Sequence, residues 1–131
     1  MGAKFTAAVS NAAMAETCGL MQERFASHGM DLFENVTLDG RTAPFALATD
    51  ECCFLVDRVQ KSILLDFHAM SLMVKKLAQM EPEARIFGVL LLKTTEGISH
   101  EFLQFGKRHR VFLLKPDDMA GFIGKNLETM T

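Results

Sequence analysis

Asp66 and His68 are the side chains of this sequence best suited to chemistry. They close the stretch of residues 50–68, which reads DECCFLVDRVQKSILLDFH. Its two apolar runs, residues 52–56 and 63–65, flank a polar segment, and this pattern predicts a β-hairpin. Residues two apart on a strand share a face, so a carboxylate and an imidazole are expected side by side in a sheet. Because a buried charge is costly unless it is paired or used, the pair is a candidate catalytic site.

Other interpretations of these residues remain open. Asp66 and His68 can form a purely structural polar pair at a strand end. Cys53 lies on the neighbouring predicted strand, so a Cys53–His68 dyad is a further alternative, although free cysteines are more often core residues. The remaining histidines are dispersed and lack metal-ligand spacing on one helix face, which argues against a histidine metal site. They are His28, His100 and His109.

The composition indicates one globular domain. A chain of 131 residues with 49% hydrophobic and 23% charged residues has enough apolar surface for one core and is unlike a disordered chain. We therefore predict a single domain over residues 1–131, with residues 1–9 loosely ordered. The three cysteines are odd in number and contain no C-x-x-C pair, which indicates neither a disulfide framework nor a zinc site and favours the cytoplasm. No apolar run reaches transmembrane length, so no membrane partner is expected.

The charge pattern allows nucleic-acid binding only through a local patch. With 14 basic and 16 acidic residues, the net charge of −2 offers no global attraction for phosphate. The dense basic run at residues 107–110 either complements the preceding helix dipole or contacts phosphate. The high apolar fraction and the apolar stripe of the last helix also suggest a homodimer. The candidate nucleic-acid-binding residues are Lys75, Lys76, Lys107, Arg108 and Arg110.

Periodicity and turn signals predict the elements that must position these residues. Helical spacing, capping residues and glycine or proline stops predict four helices, and β-type runs predict five strands. The helices cover residues 10–28, 71–80, 100–108 and a last segment from Pro116. The strands cover residues 31–38, 45–56, 62–68, 85–93 and 111–115, with the second bent near Asp50. The predicted fold is α/β, with the order αβββαβαβα and a mixed five-stranded sheet flanked by helices.

This order, with three short motifs, resembles the restriction-endonuclease-like (PD-(D/E)XK) superfamily. It is most similar to Mrr-type restriction enzymes and small bacterial endonuclease-like proteins. Ala15-Glu16 resembles the family's helix pair, Glu51-Cys52-Cys53 its G-E-I-D strand, and Leu65-Asp66-Phe67-His68 its E-x-K strand. The C-terminal segments 88–95, 99–105 and 111–114 also match the Mrr pattern. The resemblance covers about residues 12–127.

The resemblance implies a site for one or two Mg²⁺ ions, in which a metal activates water and a lysine orients the attack. Asp66 would be a metal ligand and, with His68, Glu51 and Cys53, a catalytic residue. However, Cys53 stands where the family has Asp, and His68 stands where it has Lys. A thiol is a poor Mg²⁺ ligand, and a neutral imidazole carries no fixed charge.

Two functions follow from the resemblance. The favoured one is a degenerate nuclease-fold domain that has lost its metal site, needs no cofactor and acts as a binding or assembly module. The alternative is a divergent Mg²⁺-dependent DNA endonuclease that uses Asp66 with Asp50 or Glu51 and Glu16, with Lys75 or Lys76 in place of the displaced lysine. The alternative requires these carboxylates to converge closely enough to share a Mg²⁺ ion.

Overall fold

The computed structural model describes residues 8–128 as a five-stranded mixed sheet with helices on both faces. The strands lie in the order β1-β2-β3-β4-β5, with β1 to β3 antiparallel and β4 and β5 parallel to β3. In chain order the elements are α1 (Asn11–Arg24), β1 (Asp31–Leu38), β2 (Arg41–Ala48), β3 (Cys52–Arg58), α2 (Ile63–Met80), β4 (Arg85–Leu91), α3 (His100–Arg108), β5 (Val111–Leu114) and α4 (Met119–Glu128), with short 3₁₀ helices at Ala26–His28 and Pro116–Asp118. The predicted order αβββαβαβα and the mixed sheet are confirmed.

The position predicted for the hairpin in residues 52–68 is wrong. The hairpin lies one strand earlier, between β2 and β3. Residues 45–56 form two strands, β2 and β3, joined by a turn at residues 49–51. Thr49 closes this turn, since its N–H donates to the Cys52 carbonyl at 2.8 Å and its Oγ1 accepts from the Cys52 N–H at 3.2 Å. The segment 62–68, predicted as a strand, is instead the start of α2.

Helix α2 begins at Ile63 because its apolar residues follow a helical period. Phe67, Met70 and Val74 recur at spacings of three and four and are buried on one side. Ser62 is the N-cap, and its side chain accepts from the Leu65 N–H. The apolar triplet at residues 63–65 is therefore the first turn of a helix, and two of its members, Leu64 and Leu65, are exposed.

The sheet separates two apolar cores. On one face α1 and α4 pack over a core that includes Phe54, Phe87 and Ile123. On the other face α2 and α3 pack over a core that includes Leu55 and Leu90. The apolar stripe of α4, which suggested a homodimer, is buried in the first core, so dimerisation stays a prediction without that support.

The β1–β2 hairpin bends in its middle. Asp39 and Gly40 both have positive φ, as a two-residue hairpin turn of type I′ requires, which confirms the predicted turn. Asn35 also has positive φ, next to Pro44 on β2. After Asn35 the side chains of β1 change faces. Leu32 packs on the α1 side of the sheet, whereas residues 36 and 38 pack on the α2 side. The hairpin tip therefore reaches α2.

The N-terminal segment is ordered where the structure describes it. The prediction that residues 1–9 are loosely ordered falls mostly on residues 1–7, which lie outside the described residues. Of the remaining two residues, Ala8 bridges to Leu92 and Val9 is buried in the first core, and the statement about the segment as a whole stays a prediction. Within residues 8–128, no helix has the length and apolar character needed to cross a membrane.

Candidate functional site

Asp66 lies in the first turn of α2, where it holds the loop that enters the helix. Its Oδ2 accepts hydrogen bonds from the Gln60 N–H at 2.7 Å and the Lys61 N–H at 2.9 Å. A carboxylate near a helix N-terminus is also stabilised by the helix dipole. This geometry joins the end of β3 to the start of α2, and it gives Asp66 a structural role that does not depend on a metal.

His68 does not face Asp66. On a helix, residues two apart point in different directions, so the strand-based pairing of a carboxylate with an imidazole is wrong. His68 is exposed on α2, and its carbonyl accepts from the Ser71 hydroxyl at 2.8 Å. His68 therefore does not form a shared site with Asp66.

Cys53 is a half-buried residue of β3 that packs against the core under α2. Burial, with a smaller contribution from Cys52, raises the pKa of the Cys53 thiol to about 11. A thiol with such a pKa is protonated at neutral pH and is a weak nucleophile. Cys53 also lies near the start of β3, whereas His68 follows its far end, so the predicted dyad is not assembled.

The predicted carboxylate ligands lie in different places. Asp50 and Glu51 are exposed in the turn before β3, whereas Asp66 lies beyond its other end. The seven residues of β3 separate these two positions by about 20 Å at a rise of about 3.3 Å per residue. Glu16 is an exposed residue of α1, which packs on the opposite face of the sheet from α2.

These positions do not fit the magnesium site that the resemblance implies. Mg²⁺ requires oxygen ligands at 2.0 to 2.1 Å in near-octahedral geometry. A set drawn from Glu16, Asp50, Glu51 and Asp66 spans both faces and both ends of the sheet. Across residues 8–128, no three His, Cys, Asp or Glu side chains come together as metal ligands.

Asp57 is the carboxylate that the sequence analysis missed. It lies near the carboxyl end of β3. Burial raises the pKa of the Asp57 carboxyl, and the negative charge of Asp66 makes a smaller contribution in the same direction. Opposing hydrogen bonds come to its Oδ1 from the Arg58 N–H at 2.7 Å and the Gln60 side chain at 3.2 Å. Its position after an apolar run, at the carboxyl end of a parallel strand, was the available signal.

Arg58 extends from β3 to the N-terminal segment. Its Nη1 donates to the Val9 carbonyl at 2.9 Å, while its Nε is buried with no hydrogen-bond partner in the described part of the chain. The alternation of β3 places Arg58 on the α1 side with Val56, and Asp57 on the α2 side with Leu55. The guanidinium therefore anchors the start of the chain to the sheet.

The predicted nucleic-acid-binding residues fall in two separate regions. Lys75 and Lys76 line a small cavity of about 180 Å³ between α2 and the β1–β2 turn, where Lys76 lies 3.7 Å from Asp39. Lys107 and Arg108 end α3, as the dipole interpretation requires. Arg110 follows with positive φ, and its guanidinium lies 5.7 Å from the Phe87 ring. Their role in binding stays a prediction.

Replacing Asp66 by Ala is expected to lower the free energy of unfolding by about 1–3 kcal/mol, because two loop N–H groups lose a charged acceptor. Asp66→Asn keeps an acceptor oxygen and should lose less. Asp50→Ala, in the exposed turn at the other end of β3, is the matched control and should change stability by at most about 0.5 kcal/mol. Urea denaturation measures all three. Equal losses for Asp66→Ala and Asp50→Ala would contradict the structural role.

Comparison with known proteins supports the fold. The sequence matches no protein-family model, and no curated protein matches it. The structure is similar to the crystal structure of an XisH family protein from Nostoc punctiforme, with a TM-score of 0.51 and 12% sequence identity, covering 81% of this chain and 93% of that chain. The comparison therefore supports the predicted mixed α/β fold of a sheet flanked by helices.

Proposed function

We propose that this chain is a restriction-endonuclease-like domain that has lost its phosphodiesterase site and acts as a binding or assembly module. The hydrogen bonds of Asp66 carry this proposal, because the side chain assigned to catalysis holds the 60–61 loop instead. The scattered positions of Glu16, Asp50 and Glu51 support it. The half-buried, protonated thiol of Cys53 is equally unsuited to hold a hard cation.

An exposed apolar surface beside the Asp66 loop supports the assembly part of the proposal. Leu64 is 70% exposed and Leu65 is 62% exposed, although both lie in the first turn of α2. Leu64 lines a shallow groove of about 320 Å³ together with Ile98 and Phe102. Neighbouring exposed leucines next to an apolar groove are typical of a surface that is covered by another molecule.

A cleavage assay tests the loss of catalysis. Supercoiled plasmid, linear duplex and single-stranded DNA are incubated with the protein and either Mg²⁺ or Mn²⁺. We expect no cleavage above that of a buffer control, and no difference between the wild type and Asp57→Asn, because residues 8–128 bring together no group of carboxylates that could hold the metal. Metal-dependent cleavage that disappears in Asp57→Asn or Asp66→Asn would contradict the proposal and favour the divergent endonuclease.

Thermal unfolding provides a second measurement for the same prediction. A ligand that binds only the folded state raises the melting temperature in proportion to the logarithm of its concentration. We expect Mg²⁺ to leave the melting temperatures of the wild type and of Asp57→Asn equally unchanged. A rise for the wild type alone would show a metal site at this carboxylate.

A further inference from the structure

We infer that a cleft between β5 and α4 binds a nucleoside phosphate, either free or as a unit of a single-stranded nucleic acid. The cleft has a volume of about 690 Å³, within the range of small-molecule sites. Its lining residues are Arg85, Lys107, Phe112, Leu114, Phe122, Lys125 and Asn126. This inference supplies a ligand for the binding module proposed above, and its test is separate from the test of cleavage.

The charge of the cleft favours an anion. Arg85, Lys107 and Lys125 line it, and no carboxylate from residues 8–128 does. On a chain with a net charge of −2, three cations around one concave surface form a local positive site that can attract phosphate.

The floor of the cleft favours a planar ring. Phe112 and Phe122 are half-buried, and their ring centroids lie 4.6 Å apart with a tilt of 47°. Behind them, Phe122 packs edge-on against Phe54 and Phe87, which holds it in place. Aromatic faces beside cations are the combination that binds bases and phosphates in single-stranded nucleic-acid sites.

Arg85 is held in position at the rim. Its guanidinium lies 5.2 Å from the centroid of the Phe87 ring, and its Nη2 lies 3.5 Å from Asn126 Oδ1. Asn126 in turn donates from Nδ2 to the Phe122 carbonyl at 2.9 Å. Arg110 lies against the same Phe87 ring, at 5.7 Å. Two guanidinium groups thus lie near one ring next to the cleft, which adds to its positive charge.

The ring and the charges favour a nucleoside phosphate over an acidic peptide. A peptide carboxylate can pair with the cations but makes no use of the two rings that line the cleft, Phe112 and Phe122. A nucleotide uses both features. The cleft also lies on the face of the sheet that α4 covers, whereas Asp57 and Asp66 lie on the α2 side.

The test uses the full chain and fluorescence anisotropy of a labelled single-stranded oligothymidylate. The Lys107→Ala/Lys125→Ala double variant should weaken binding about tenfold or more and reduce the salt slope by about 0.7 for each phosphate that it no longer neutralises. Phe112→Leu should weaken binding about fivefold or more and leave the slope unchanged, because it removes stacking only. Lys61→Ala removes an exposed charge in the loop before α2, away from the lining of the cleft, and should bind like the wild type.

Competitors separate the possible sources of the ligand. If thymidine monophosphate displaces the labelled strand at the same concentration as the unlabelled oligonucleotide does, the ligand is a free nucleotide. If a higher concentration is needed, the ligand is a nucleic-acid strand. The inference is overturned if the double lysine variant binds like Lys61→Ala, or if polyglutamate competes better than the oligonucleotide. Because the lysines are exposed, their replacement should leave the fold intact, which circular dichroism checks. DNA cleavage by the wild type would contradict the proposed function and leave this result unchanged.

Discussion

Replacing Phe54 by Ala is expected to lower the free energy of unfolding by about 3–5 kcal/mol. Phe54 is fully buried in β3, and its ring stacks on Phe87 at 5.1 Å and meets Phe122 edge-on at 5.9 Å. Its removal takes away apolar burial, leaves a cavity and breaks two aromatic contacts. Because domains of this size are stable by only about 5–15 kcal/mol, the variant should be close to unfolding.

Phe33→Ala is the matched control for this prediction. Phe33 lies on the edge strand β1 and is 51% exposed, so its removal leaves no enclosed cavity. We expect a loss of less than about 1 kcal/mol. Urea denaturation at equilibrium gives both values. Similar midpoints for the two variants would show that the aromatic cluster under α4 is not the centre of this core.

Gly88→Ala is expected to destabilise the protein by about 1–3 kcal/mol, although alanine usually suits a strand better than glycine. A methyl group on Gly88 would lie 2.5 Å from Met70 Cγ and 2.9 Å from Val74 Cγ2. The glycine allows the middle of α2 to pack directly on β4. Thermal or urea unfolding measures the loss.

Two controls distinguish crowding from a general effect of the substitution. Gly121 in α4 has open space around its Cα, so Gly121→Ala should stabilise the helix by up to about 1 kcal/mol. Met70→Ala provides the space that Gly88→Ala requires, so the double variant should be more stable than the sum of the two single losses. Strict additivity of the two changes would contradict the proposed packing of α2 on Gly88.

Local patterns were sufficient for most of the elements. Helix α3 begins and ends as predicted because Ser99 accepts from the Phe102 N–H and two basic residues complement its end. The Asp39-Gly40 turn was equally clear, since its backbone geometry requires these residue types. In both cases the determining interactions lie within a few residues of one another.

The segment 45–68 was predicted incorrectly because short apolar runs are ambiguous. Residues 63–65 fit a strand over three residues, and only their continuation through Phe67, Met70 and Val74 reveals the helical period. The tight turn at Thr49 resembles a bend in one long strand when only the sequence is considered. Because the third predicted strand is in fact the start of α2, Asp66 lies on a helix and not in the middle of a sheet. The candidate carboxylates therefore lie at opposite ends of β3.

The sequence by itself determined the fold class and the order of the elements, because periodicity, caps and turns act between neighbouring residues. Only the tertiary structure decided which side chains meet. The cleft joins Arg85, Lys107 and Lys125 from three distant elements. The Asp66 carboxylate likewise accepts its hydrogen bonds from the N–H groups of residues 60 and 61 in the preceding loop. Strand pairing and helix packing fix such distances through long-range contacts, which no local pattern of residues encodes.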